Sequence, residues 1–154
     1  MKNIVRIGIA LLITAGLFLG IQAYQRSQYE EGLKKVHVII YAPGKDTSKI
    51  DKTTVLFDKT VHTNALTVGD LLDQMVLDKN ISVTFAGSKT DPYGRYIIGF
   101  NTIISENSPS GPWWLYNSST NPTCVSAGYC NGIDQQAISD QDVFEFTFTS
   151  FIGE

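Results

Sequence analysis

Val36-His37-Val38-Ile39-Ile40-Tyr41, then Thr53 to Val61, then Thr67-Val68-Gly69-Asp70 are the three segments whose reading decides the fold. The first is rich in β-branched and aromatic residues and stops at Ala42-Pro43-Gly44, a turn signal, so it predicts a strand. In the second, Val55, Phe57, Lys59 and Val61 fall on one face and Thr54, Leu56 and Asp58 on the other, which predicts a strand forming a hairpin with the first. In the third, Thr67 stands three residues before Asp70, the spacing of a capping box in which both side chains can satisfy free amides of a first helical turn. Val68, Leu71, Leu72, Met75 and Val76 then line one helical face and Asp70, Asp73, Gln74 and Asp78 the other. This helix is expected to pack on the sheet.

Working outward, further strands are expected at Ile81 to Phe85, Arg95 to Phe100, Trp113 to Asn117 and Val143 to Thr149. The loops between them hold Gly87, Asp91-Pro92-Tyr93-Gly94, Ser108 to Pro112 and a cysteine-containing segment. A hairpin, one helix and more strands predict an α+β domain, a β-grasp-like mixed sheet with one packed helix. A chain of 154 residues, 43% apolar and 18% charged, has room for one such domain and a core to hold it.

On the N-terminal side, Lys2 and Arg6 precede an unbroken apolar run from Ile7 to Ile21, followed by Gln22, Ala23 and a polar stretch. A buried core helix would carry a polar stripe, and this run has none. The pattern is that of a signal peptide or a signal anchor over residues 1–25, with a tether over 26–35 and the domain over 36–154. Basic residues only at the extreme N-terminus orient the domain outside the membrane. The chain is therefore expected at the cell membrane through a single N-terminal anchor, or secreted if the signal is cleaved. No cysteine follows the run closely, which excludes a lipoprotein anchor.

Charge and motif exclude several functions. The net charge is -3 and no Lys or Arg follows Arg95, so the C-terminal third offers no nucleic-acid footprint. No nucleophile elbow, phosphate loop or His-containing metal motif is present, and the chain is not expected to be an enzyme. His37 and His62 have no partner motif. Asp134, Asp140, Asp142 and Glu145 lack the spacing of a calcium loop and read as turn residues and an outward strand position, so no metal site is expected. Cys124 and Cys130, the two cysteines, are expected to form a disulfide in an exported chain.

Three landmarks in the second half carry a resemblance: Gly94-Arg95-Tyr96-Ile97-Ile98-Gly99-Phe100-Asn101, Gly111-Pro112-Trp113-Trp114-Leu115-Tyr116, and Gly132-Ile133 leading to Asp140-Gln141-Asp142-Val143-Phe144-Glu145-Phe146-Thr147-Phe148. Over about residues 36 to 150 the chain resembles the bacterial family of uncharacterised domains related to the C-terminal domain of transcobalamin and intrinsic factor. It departs from that pattern at Asn101-Thr102, where Asn-Gly is usual, at the cysteine-containing insertion, and at Gln141, where Gly is usual. The resemblance implies a β-grasp-like fold outside the cytoplasm, with no required cofactor and with cobalamin or a similar cofactor as bound ligand.

Tyr93, Tyr96, Trp113, Trp114, Tyr116 and Asn117 are the candidate ligand-binding residues, since aromatic rings with polar tips suit a planar or amphipathic molecule. On a strand Trp113 and Trp114 face opposite sides, so one of them is expected in the core. Two functional readings follow. One is an extracytoplasmic small-molecule-binding domain, serving an uptake transporter as partner; the other is a cell-surface protein-interaction or adhesion module without a small ligand.

Overall fold

The computed structural model describes residues 32–106 and 109–150, together with Thr14, Gly16, Leu17 and Gly20. Most of the signal or anchor segment and most of the tether lie outside the described residues. Among the described residues no helix is long and apolar enough to cross a membrane. The architecture is α+β, mostly strands, with two sheets and few helices.

The predicted hairpin is present. Strand β1 (Lys34–Tyr41) alternates with Val36, Val38 and Ile40 fully buried, and it pairs antiparallel with β2 (Val55–Thr63), placing Val61 opposite Val36 and Phe57 opposite Ile40. It starts two residues before the expected boundary, and the Lys34 side chain is itself buried. A bulge between Ile40 and Tyr41 shifts the register at the end of the hairpin. Each buried aliphatic side chain here contributes about 1.5–3 kcal/mol of transfer free energy.

Helix α1 (Val68–Leu77) follows with Thr67 as N-cap: its hydroxyl accepts from the Asp70 amide at 3.1 Å. Only this half of the capping box forms, because the Asp70 carboxylate is taken by Lys89 at 2.8 Å. Val68, Leu71, Leu72 and Met75 are wholly buried and share one apolar core with the hairpin. Val76, expected on the same face, is exposed at its edge.

Strands β3 (Val83–Ala86), β4 (Tyr96–Phe100) and the two-residue β5 (Ile103–Ile104) form a separate antiparallel sheet in the order β3-β4-β5. β6 (Trp113–Asn117) and β7 (Val143–Thr149) join the hairpin in a four-stranded sheet ordered β2-β1-β7-β6, with β7 parallel to β1 and antiparallel to β6. Two sheets thus replace the one expected, because β4 turns to β3 and β5 and not to the hairpin. Phe100 of β4 joins the layers: its ring meets Trp114 edge-on at 4.8 Å and Phe146 at 5.3 Å. Such pairs add about 0.5–1.5 kcal/mol each beyond the area they bury.

The cysteine segment, expected as a loop, contains a short helix α2 (Pro122–Ala127). The Asn121 side chain caps it, accepting from the amides of Thr123 at 3.1 Å and Cys124 at 3.3 Å. Pro122 fills the first turn, where its missing N–H costs nothing, and Gly128 ends the helix at φ 78°.

Candidate functional site

A cleft of about 570 Å³ opens along β6. β6 is an edge strand, and side chains from both its faces line the same cleft: Trp114 and Tyr116 from the core side, Leu115 and Asn117 from the other. The register explains the division. Tyr116 stands opposite Phe146 and stacks on it at 5.4 Å, whereas Leu115 and Asn117 stand opposite Thr147 and Glu145. The Tyr116 hydroxyl donates to the Asn131 carbonyl; burial, then the nearby Asp134 charge, push its pKa up. Trp114 is 5% exposed, with its indole N–H donating to the Ile103 carbonyl at 3.1 Å, so it offers the cleft little surface.

The facing wall comes from Tyr96 and Ile97 of β4 and from Tyr129, Cys130 and Ile133. A disulfide joins Cys124 and Cys130, as expected, and its ring carries Tyr129, which is 66% exposed. A buried polar network fastens the base of this wall. The Gln136 amide donates to Asn121 at 2.9 Å and to the Ala137 carbonyl at 3.0 Å, and its oxygen accepts from the Asn131 amide at 3.0 Å. Asn121 in turn donates to the Asp142 carboxylate at 2.6 Å. Among the described residues no buried side-chain polar atom lacks a partner, which is what lets such a network sit in a core.

Arg95 closes one end of the cleft. Its guanidinium holds Asp73 through Nη1 at 2.8 Å and Nη2 at 3.1 Å, holds Asp134 through Nη2 at 2.8 Å and Nε at 3.1 Å, and lies over the Phe85 ring at 4.4 Å. The Arg95 amide also donates to Asp134 at 2.7 Å. Burial pushes the Asp73 and Asp134 carboxyls up, but hydrogen bonds from Arg95, joined by Lys89 at Asp73, outweigh it and hold both below the usual carboxylate range. The segment bearing Asp134 docks on the start of α1, with the Gly69 amide donating to the Ile133 carbonyl at 2.8 Å. A Cβ at Gly69 would collide with the Asp134 carboxylate, which requires glycine there. The Arg95 charge is thereby neutralised within the fold.

On the far side, Ile50 and Lys52 of the β1–β2 connection lie over the sheet face that carries Thr147 and Glu145. Lys52 pairs with Glu145, and its ammonium lies 5.6 Å from the centre of the Tyr41 ring. The Tyr41 hydroxyl reaches the other Glu145 oxygen at 3.4 Å. The connection is pinned by Thr149 and Ser150, whose hydroxyls donate to the Thr47 carbonyl at 3.0 Å.

Of the six residues singled out from sequence, Tyr96, Trp114, Tyr116 and Asn117 line the cleft. Tyr93 is 87% exposed and does not line it, and Trp113 packs on Gly111 away from it. Tyr129, Lys52 and Glu145 were not foreseen as lining residues. The acidic residues weighed for calcium are dispersed: Asp134 is on Arg95, Asp140 accepts from the Lys35 amide at 2.7 Å, Asp142 is on Asn121 and Glu145 on Lys52. Among the described residues no cluster of His, Cys, Asp or Glu is arranged to hold a metal ion. His37 meets Asp58 at 2.6 Å on the exposed face of the hairpin, away from the cleft.

No protein-family model matches the chain, and no curated protein matches it either.

Proposed function

We propose that this chain is an extracytoplasmic small-molecule-binding domain whose β6 cleft takes a small, partly planar ligand. The observation that carries this reading is the cleft itself. It gathers Tyr96, Tyr116, Asn117 and Tyr129 from separate parts of the chain around a volume within the range of about 300–1,000 Å³ typical of ligand pockets. Aromatic walls with hydroxyl tips and one ion pair are the mixed surface such ligands need.

Three further observations support the setting. The Cys124–Cys130 disulfide suits an oxidising compartment, in agreement with export by the N-terminal apolar segment and a domain held outside the membrane. The hairpin, helix and parallel return of β7 beside β1 are in line with a β-grasp-like sheet. Gln141, where the transcobalamin-related pattern has Gly, adopts φ 67°, a conformation that favours glycine. Cobalamin and other planar cofactors are accordingly the first ligands to try, with an uptake transporter as the partner receiving them.

The cleft is open on one side, so a ligand remains partly in water and must still meet the entropic cost of association. Micromolar affinity is expected, about -8 kcal/mol at a Kd near 1 μM. Titrating the tryptophan fluorescence of the full-length chain with cobalamin, haem and flavin tests this. No response at high micromolar concentration, from protein whose circular dichroism shows it folded, would transfer the reading to a surface interaction module.

A further inference from the structure

Resting on the reading of the cleft as a ligand site, we infer that its ligand is a zwitterion, and specifically a free α-amino acid with an aromatic side chain. Three kinds of group face the cleft. Arg95 is charged, but the N–H edges of its guanidinium are taken by Asp73 and Asp134, one face lies over Phe85, and its side chain is only 12% exposed. It serves as wall. The tyrosines, Ile97 and Leu115 supply neutral surface. The remaining charges are Lys52 and Glu145, with side chains 49% and 32% exposed, paired with each other at the cleft's edge.

An exposed ion pair adds little to stability, so it opens at small cost and its two ends can exchange partners with a ligand. Because Lys52 and Glu145 touch, the ligand's opposite charges must also lie side by side. An α-amino acid has this arrangement, its ammonium and carboxylate being carried on one carbon. The carboxylate would meet Lys52 Nζ and the Asn117 amide nitrogen, which donates to no group among the described residues and stands opposite Glu145 in the strand register. The ammonium would meet Glu145, which the Tyr41 hydroxyl already steadies. The side chain then lies against Tyr116, Tyr96 and Tyr129, whose rings favour an aromatic partner. A ligand with one charge would leave either Lys52 or Glu145 without an opposite charge beside it, and that asymmetry gives the selectivity.

Calorimetry on the full-length chain with four probes sharing one ring tests this: L-phenylalanine, 3-phenylpropionate, phenethylamine and 2-phenylethanol. L-phenylalanine is expected to bind at least about tenfold more tightly than any of the others. Lys52→Met should reduce L-phenylalanine to the level of phenethylamine, Glu145→Gln to the level of 3-phenylpropionate, and Lys52→Arg should retain binding, which separates lost charge from lost folding. Equal binding of all four probes, or L-phenylalanine binding untouched in both charge-removing variants, would overturn the zwitterion and leave the cleft reading standing. Silence with every probe, while a planar cofactor binds, also overturns the zwitterion alone. Silence with the probes and the cofactors overturns both.

Discussion

Replacing Arg95 with methionine removes the charge while keeping most of the apolar stem, and its cost can be worked from the contacts. Asp73 is one-third exposed and keeps Lys89 at 2.8 Å, so it loses little. Asp134 is 9% exposed and keeps only the backbone amide of position 95, so it becomes a buried carboxylate without a cation. Breaking a buried pair costs about 3–5 kcal/mol, and discounting for the exposed Asp73 arm places this variant at about 3 kcal/mol. For a domain of this size that is a fall in melting temperature of about 10–15 °C. The sign with pH follows from the carboxyls. In the wild type both are held low, so their contribution is complete above the ordinary carboxylate value and is lost as pH falls through their lowered folded-state values. In the variant burial still pushes the Asp134 carboxyl up, while the guanidinium that outweighed it is gone and only the amide of position 95 and the Lys89 charge oppose it, so its penalty is present at neutral pH and lessens on protonation. The gap between wild type and variant in urea denaturation should therefore be widest near pH 7 and narrow on acidification. Adding Asp134→Asn should recover part of the loss. A gap under about 1 kcal/mol, a gap independent of pH, or a double variant less stable than Arg95→Met would refute the account.

Two other expectations concern the frame around the cleft. Removing the disulfide by Cys124→Ala with Cys130→Ala should cost about 2 kcal/mol, because the closed ring is short, and should speed hydrogen exchange at 128–132; an unchanged urea midpoint and exchange would contradict it. Thr67→Ala should cost about 1 kcal/mol through loss of the helix cap, and Asp70→Ala, which breaks an exposed ion pair, less than about 0.5 kcal/mol. Equal losses from the two would mean that Asp70 takes part in the cap after all.

The hairpin and α1 were legible because their signals are local. Alternation fixes which of Val36, Val38 and Ile40 face inward, and Thr67 marks the helix start without help from the rest of the chain. Sheet membership was not legible. β7 lies beside β1 across about a hundred residues of sequence, and nothing in Val143 to Thr149 says whether it joins the hairpin or Arg95 to Phe100. β5 has two residues, too few to show a period, and exists because Asn101 turns the chain at φ 52° and brings Ile103 opposite Phe100. α2 could have been read: Asn121 before, Pro122 at the start of and Gly128 after a six-residue stretch are cap, first-turn proline and terminal glycine, but the neighbouring Ser, Asn and Gly residues suggested a loop.

The cleft shows why aromatic content finds one wall of a site and misses the other. Trp113 and Trp114 were known to point opposite ways, yet alternation alone cannot say which faces the core. That is decided by β7, where Phe144, Phe146 and Phe148 occupy the side of Trp114 and Tyr116, leaving Leu115 and Asn117 with Thr147 and Glu145. Once that side is fixed, the polar wall follows from it. Glu145 was read from sequence as an outward strand position, and it is one, but its partner Lys52 comes from a connection whose path is set by Thr149 and Ser150 on the Thr47 carbonyl. Neither the pairing nor its position beside Asn117 has a local signal. The aromatic residues mark where a ring can lie; the register of β6 on β7 and the fold of the connection place the charges that would choose between one ring-bearing molecule and another.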